Sequence, residues 1–124
     1  MQTVLVVDDE QSVRRVMRKI LERGGFQVAE AGSAPEALAH LDAGKPVDAV
    51  VSDVLMPEVS GLAFYDELVH RVPALAGRVV FLTGAASDPS VNAPIEQRGV
   101  PLLSKVDDLM LVLDAVRLAV LKKQ

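Results

Sequence analysis

The sequence contains no cysteine. That excludes disulfides, thiolate-bound metals and cysteine nucleophiles, and it fits a reducing compartment such as the cytoplasm, where the chain is expected to reside. No apolar run approaches the ~18 residues of a membrane span. The N-terminus, Met1-Gln2-Thr3-Val4-Leu5-Val6-Val7-Asp8, has neither the basic start nor the long apolar stretch of an export signal. Positive charge is in short supply: 13 Lys and Arg face 17 Asp and Glu, a net charge of −4, which argues against nucleic acid or an anionic membrane as the main partner. Glycine (8) and proline (7) are too few for a collagenous or low-complexity chain. What is present is 50% apolar residues over 124 positions, enough for one domain with a core and not for a second. Residues 1–124 therefore read as a single domain without an output domain.

Short apolar runs alternate with stretches of helical period. Val4–Val7 is β-branched and uninterrupted, as in a strand buried on both faces of a parallel sheet. Val13, Val16, Met17, Ile20 and Leu21 then share a helical face that ends at Gly24-Gly25. Residues 26–29 form a weaker strand. Ser33 and Glu36 have capping-box spacing for a helix running to about Gly44, with Pro35 tolerated in its first turn. A strand at 47–52 ends on Asp53, and Ser60-Gly61 open a helix with Leu62, Tyr65, Leu68 and Val69 on one face, closed by Pro73. Residues 79–82 form the fourth strand. Pro89 and Pro94 leave room for a short helix over 93–98, residues 100–103 form a fifth strand, and Asp107 caps a last helix carrying Leu109, Val112, Leu113, Val116 and Val120. Five strands and five helices in strict alternation predict an α/β three-layer sandwich around a parallel sheet.

In such a sheet, chemistry gathers outside the carboxyl ends of the strands. Those ends carry Asp8-Asp9, Asp53, Thr83-Gly84 and Ser104-Lys105. Each alone is a common turn or cap residue, but together they place three carboxylates, a hydroxyl and an ammonium along one edge. Three clustered carboxylates repel one another unless a cation intervenes, and Mg²⁺ takes oxygen ligands and commonly bridges carboxylates to phosphate. An ionised carboxylate needs no general base to attack phosphorus, and a metal, Lys and Thr are suitable donors to phosphoryl oxygens.

These residues, in this order, resemble the receiver (phosphoacceptor) domain of two-component response regulators over essentially the whole chain. Val4-Leu5-Val6-Val7-Asp8-Asp9-Glu10 is similar to the family's first strand and acidic pair. Asp53-Val54-Leu55-Met56-Pro57-Glu58-Val59-Ser60-Gly61 resembles its Asp-x-x-Met-Pro-x-x-x-Gly signature. The resemblance implies a flavodoxin-like sheet of order 2-1-3-4-5, Asp53 as phosphoacceptor, and Mg²⁺, for which Mn²⁺ can substitute, on Asp8, Asp9, Asp53 and the Leu55 backbone carbonyl. It further implies that Thr83 and Lys105 bind phosphoryl oxygens, that Thr83 turns inward on phosphorylation, and that the donor is a phosphohistidine on a sensor histidine kinase or histidine phosphotransfer protein.

Departures from the family pattern alter some expectations. Val106 stands where Pro usually follows the Lys, and Leu102 stands at the aromatic switch position, so no ring rotation reads out the state. Leu55 and Ala85, at the positions that tune access of water, are both apolar, which predicts a long-lived phosphoform. The Pro-broken fourth helix after Thr83-Gly84-Ala85-Ala86 resembles receivers fused to hybrid histidine kinases. Arg14, Arg15 and Arg18 form a basic face on the first helix that is expected to dock the phosphodonor. Leu111, Ala115 and Leu118 of the last helix are expected to support weak self-association. His40 and His70 lie away from the strand ends and read as structural or surface residues. A haloacid-dehalogenase-type phosphatase needs a second Asp where Leu55 stands, and a flavodoxin needs a Ser/Thr/Gly-rich loop where Asp8-Asp9-Glu10 stands. The remaining alternative is a receiver-like scaffold that binds partners without being phosphorylated.

Overall fold

Strands that are apolar without interruption need cover on both faces, and the fold supplies it. The computed structural model describes residues 1–56, 59–84, 89–105 and 109–121. The strands are β1 (Thr3–Val7), β2 (Gln27–Ala31), β3 (Ala49–Asp53), β4 (Val79–Thr83) and β5 (Leu102–Ser104). The helices are α1 (Gln11–Arg23), α2 (Ala34–Asp42), α3 (Gly61–Arg71), α4 (Pro89–Gln97) and α5 (Val112–Val120). The five strands form one parallel sheet in the order β2-β1-β3-β4-β5. Every residue of β3 and β4 is buried, whereas the edge strands β2 and β5 are only partly covered.

Alternation along the strands sorts the core into two layers. Leu5, Val7, Val50, Val79 and Phe81 face α2 and α3, where Ala37, Leu41, Phe64 and Leu68 cover them. Val4, Val6, Val51, Val80 and Leu82 face α1 and α5, against Met17, Leu21, Val112 and Val116. Tyr65 of α3 meets Phe81 with ring centroids 6.0 Å apart. Ile95, fully buried, anchors α4 to the α2/α3 side.

Several boundaries differ from the sequence expectation, each for a local reason. Phe26 does not begin β2: its N–H donates to the Leu21 carbonyl, and that of Gly25 (φ +94°) donates to the Glu22 carbonyl, closing α1 in a Schellman motif. Strand β2 instead runs on through Glu30, a charge tolerated at the edge because Arg14 and Arg18 pair with it. Ser33 caps α2 through the Glu36 N–H as expected, but the Glu36 carboxylate accepts from Gly32 N–H, one residue beyond the capping-box partner. Helix α4 starts at Pro89, not residue 93, and absorbs Pro94 at the loss of one internal hydrogen bond. Pairing of β5 begins at Leu102, since Pro101 has no N–H to give the ladder. Short 3₁₀ turns at Pro73–Leu75 and Leu109–Leu111 escaped the periodicity reading. The Asp107 cap lies outside the described residues.

Gly61, the first residue of α3, donates its N–H to the Val54 carbonyl at 2.7 Å. A Cβ there would overlap the Asp53 carbonyl oxygen and come within 2.7 Å of Val54 Cα, both backbone atoms with no rotamer to yield. Gly61→Ala is therefore expected to destabilise the fold by about 2–3 kcal/mol in urea titrations, as overpacking against rigid structure does. A loss below about 0.5 kcal/mol would mean that the loop after β3 gives way freely.

Candidate functional site

The register of the parallel sheet determines which side chains meet. Val7 pairs with Ser52, Asp53 with Leu82 and Thr83 with Ser104, so the residues that end β1, β3, β4 and β5 emerge along one edge. Asp8 and Asp53 are buried, at 2% and 4% exposure, and Thr83 is fully buried at the end of β4. Asp9 and Glu10 are exposed.

Lys105, immediately after β5, reaches back across the edge. Its Nζ lies 3.0 Å from Asp53 Oδ2, 2.9 Å from Asp8 Oδ2 and 3.2 Å from Glu10 Oε1. The Lys105 backbone N–H donates to the Thr83 carbonyl at 3.0 Å, which fixes where the side chain departs. Asp53 Oδ1 accepts from Leu55 N–H at 3.1 Å, and Asp8 Oδ1 accepts from Glu10 N–H at 2.9 Å. Both buried carboxylates are thus held by a local turn on one oxygen and by the shared ammonium on the other.

Burial raises the Asp53 carboxyl above the ordinary aspartate value, and the neighbouring Asp8 charge adds to this; the Lys105 contacts and the Leu55 N–H oppose the rise without cancelling it. Burial also disfavours the Lys105 ammonium, but the contacts with Asp8 and Asp53 outweigh that penalty and hold it above the ordinary lysine value. One ammonium shared among several carboxylates leaves the edge short of positive charge.

Asp8 Oδ2 is buried, and what meets it is the Lys105 ammonium 2.9 Å away, which Asp53 and Glu10 share. The carboxylates of Asp8, Asp9 and Glu10 can bring ligand oxygens within 4.8 Å of one another. Hard, anionic oxygen donors gathered this closely, with one shared ammonium to offset them, fit a divalent cation such as Mg²⁺. Asp53 is not part of that close group, because Lys105 Nζ sits between its carboxylate and that of Asp8.

Of the other expected residues, Leu102 is half-buried in β5 opposite Phe81, packed on the α2/α3 layer. Leu55 exposes 59% of its surface beside the acidic edge. Arg15 is exposed, but Arg14 and Arg18 turn toward β2, with their Nε groups 3.1 and 2.7 Å from the Glu30 carboxylate. Arg14 Nη1 also donates to the Asp8 carbonyl at 2.6 Å. Sequence reasoning assigned no role to Glu10 or Glu30. Glu10 was visible as the third acid of the run, whereas the part played by Glu30 depends on its register beside Val6.

The sequence profile of the response regulator receiver domain matches residues 4–117. The transcriptional regulatory protein FixJ of Azorhizobium caulinodans is 35% identical over 116 residues, 92% of this chain and 53% of that protein. The sensor kinase CckA of Brucella abortus is 41% identical over 87 residues, 69% of this chain and 9% of the kinase. The chain thus spans about half the length of the first relative and less than a tenth of the second. The crystal structure of a response regulator receiver domain protein from Clostridium thermocellum matches with a TM-score of 0.80 and 27% identity, covering 97% of this chain and 94% of that one.

A raised carboxyl means that ionised Asp53 costs the native state stability at neutral pH. On acidification through that raised value the native state gains a proton that the unfolded chain does not yet take up, so this group's contribution moves in favour of folding. Asp53→Asn removes the charge, and at about pH 7 without divalent metal it should raise Tm by about 2–4 °C. Thermal melts repeated at progressively lower pH, down through the raised Asp53 titration, should show the advantage shrinking; an advantage independent of pH would contradict this origin.

Proposed function

The chain belongs to the response regulator receiver domain family of two-component signalling, and we propose that it is a phosphoacceptor switch that takes a phosphoryl group onto Asp53. The observation that carries this reading is the Lys105 ammonium, in contact with the buried carboxylates of Asp53 and Asp8 at the carboxyl edge of the sheet. Receiver domains interact with histidine kinases or phosphotransfer proteins, so the proposed donor is a phosphohistidine on such a partner.

In the proposed step an Asp53 carboxylate oxygen attacks the phosphorus in line. The bond from phosphorus to the imidazole nitrogen breaks, the imidazole leaves with the electron pair and is protonated, and an acyl phosphate remains. Lys105 exchanges its contact with the Asp53 oxygen for one with a phosphoryl oxygen, and Thr83, buried at the neighbouring strand end, supplies a hydroxyl. Mg²⁺, which Asp8 and Asp9 would hold, with Asp53 and the Leu55 carbonyl joining them once Lys105 gives up its contact with Asp53, would neutralise charge on the phosphoryl oxygens and on the acidic cluster. The reset is hydrolysis: water attacks phosphorus, the phosphorus–oxygen bond to Asp53 breaks, and the carboxylate and inorganic phosphate are released. Leu55 offers this water no hydrogen-bonding side chain, so the phosphoform is long-lived. Leu102 reports the state by repacking against the α2/α3 layer.

The donor docks over α1. Arg15 presents its charge there, whereas Arg14 and Arg18 act through Glu30 and through the Asp8 carbonyl, holding the acidic loop in place.

Incubation with acetyl phosphate and Mg²⁺ followed by intact-mass analysis should show one phosphoryl adduct on the parent chain and none on Asp53→Asn. Lys105→Met should slow adduct formation by at least about tenfold, the order expected for loss of one donor to the phosphoryl group. A parent chain that takes up neither a phosphoryl group nor beryllofluoride would mark a scaffold instead. A phosphoform lifetime of seconds would contradict the role assigned to Leu55.

A further inference from the structure

Asp9 is exposed, and among the described residues it is held only through the backbone on either side. The peptide that joins Asp8 to Asp9 is planar, so a restraint on the Asp8 carbonyl oxygen is passed to the N–H and Cα of Asp9. Arg14 supplies that restraint: its Nη1 donates to the oxygen at 2.6 Å. On the near side the Asp8 N–H donates to the Ala31 carbonyl of β2 at 3.1 Å. On the far side Glu10 donates its N–H to Asp8 Oδ1 at 2.9 Å and accepts the Arg14 N–H on its carbonyl at 3.2 Å. The direction in which Asp9 leaves the chain is thus governed largely by where the Arg14 guanidinium points.

That direction is set in turn from β2. Glu30 stands in register beside Val6, two residues before Asp8, and its Oε1 takes Arg14 Nε at 3.1 Å while its Oε2 takes Arg18 Nε at 2.7 Å. The hydrogen bond from Arg18 chiefly, opposed by desolvation and aided by Arg14, holds the Glu30 carboxyl below the ordinary glutamate value, so it is ionised at neutral pH. A guanidinium is a rigid plane whose donors form a fixed fork. A carboxylate on Nε therefore aims Nη1. We propose that Glu30 is a positioning residue for the cation-holding pair Asp8 and Asp9, acting through Arg14: it aims the guanidinium at the Asp8 carbonyl and offsets its positive charge beside an edge that is to receive a cation. Glu30 itself touches neither aspartate. The inference rests on the reading of Asp8 and Asp9 as metal ligands and needs no phosphodonor.

Binding of Mn²⁺ to the metal-free chain, followed through the electron paramagnetic resonance signal of the free ion, tests it. Arg14→Gln takes a positive charge away from the acidic edge, so charge alone would tighten binding, whereas loss of position weakens it. The expected result is weakening by about tenfold, the order found when a group that orients metal ligands is removed. Glu30→Gln should weaken binding by a similar factor, and the double variant should be no weaker than Arg14→Gln alone, because the two residues act as one unit. Arg71→Gln, which breaks the ion pairs with Asp42 and Glu67 on the α2/α3 side, controls for lost stability and should leave the affinity unchanged. Unchanged or tighter binding by Arg14→Gln, losses that add in the double variant, or an equal loss in Arg71→Gln would each overturn the proposal. A parent chain that binds no Mn²⁺ would instead overturn the reading of Asp8 and Asp9 as metal ligands, and the inference with it.

Discussion

The contact on which the site depends is that of Lys105 Nζ with Asp8 and Asp53. Two carboxylates buried at the end of a parallel sheet repel each other and lose hydration, and one ammonium reaching over from β5 makes the arrangement tolerable. The contact ties together strands whose chain positions lie far apart, so the edge is assembled only when the β2-β1-β3-β4-β5 order is complete. It is also an incomplete solution. One ammonium serves three carboxylates, and Asp53 stays above its ordinary pKa. A site left in this condition has an electrostatic reason to take up further positive charge.

The scaffold around this contact is built to hold the backbone close. The missing side chain at Gly61 lets α3 begin against the Asp53–Val54 backbone, so the end of β3 that carries Asp53 is braced by a helix end. On the other side, Arg14 grips the Asp8 carbonyl while its Nε pairs with Glu30. The acidic loop is thereby connected to the edge strand β2 and to α1, an arrangement in which two of the three expected docking arginines have structural partners within the chain.

The order of elements was legible from apolar runs and helical spacing because β1, β3 and β4 are buried on both faces and carry few polar residues to blur the pattern. Asp8, Asp53, Thr83 and Lys105 were legible as strand-ending residues, since a parallel fold sends such residues to one edge. The ends of β2 and α4 were harder to read. Glu30 belongs in its strand only because two arginines twelve and sixteen residues earlier meet it, and Pro94 sits inside α4 only because Ile95 anchors the turn in the core. The placement of Lys105 between Asp8 and Asp53, with Glu10 joining the acidic group, is a property of three-dimensional register and could not be counted along the chain.

The two edge strands carry a consequence for aggregation. An open sheet edge is a row of unpaired backbone groups that another chain can extend, and long flat apolar edges seed fibrils. Here β2 is five residues long with Gln27 and Glu30 along it, and β5 is three residues long directly after Pro101. Short length, charge and proline each make an edge a poor template. Both sides of the sheet are thus poor templates for a further strand, so the open edges of the sheet do not invite another chain to extend it through its backbone.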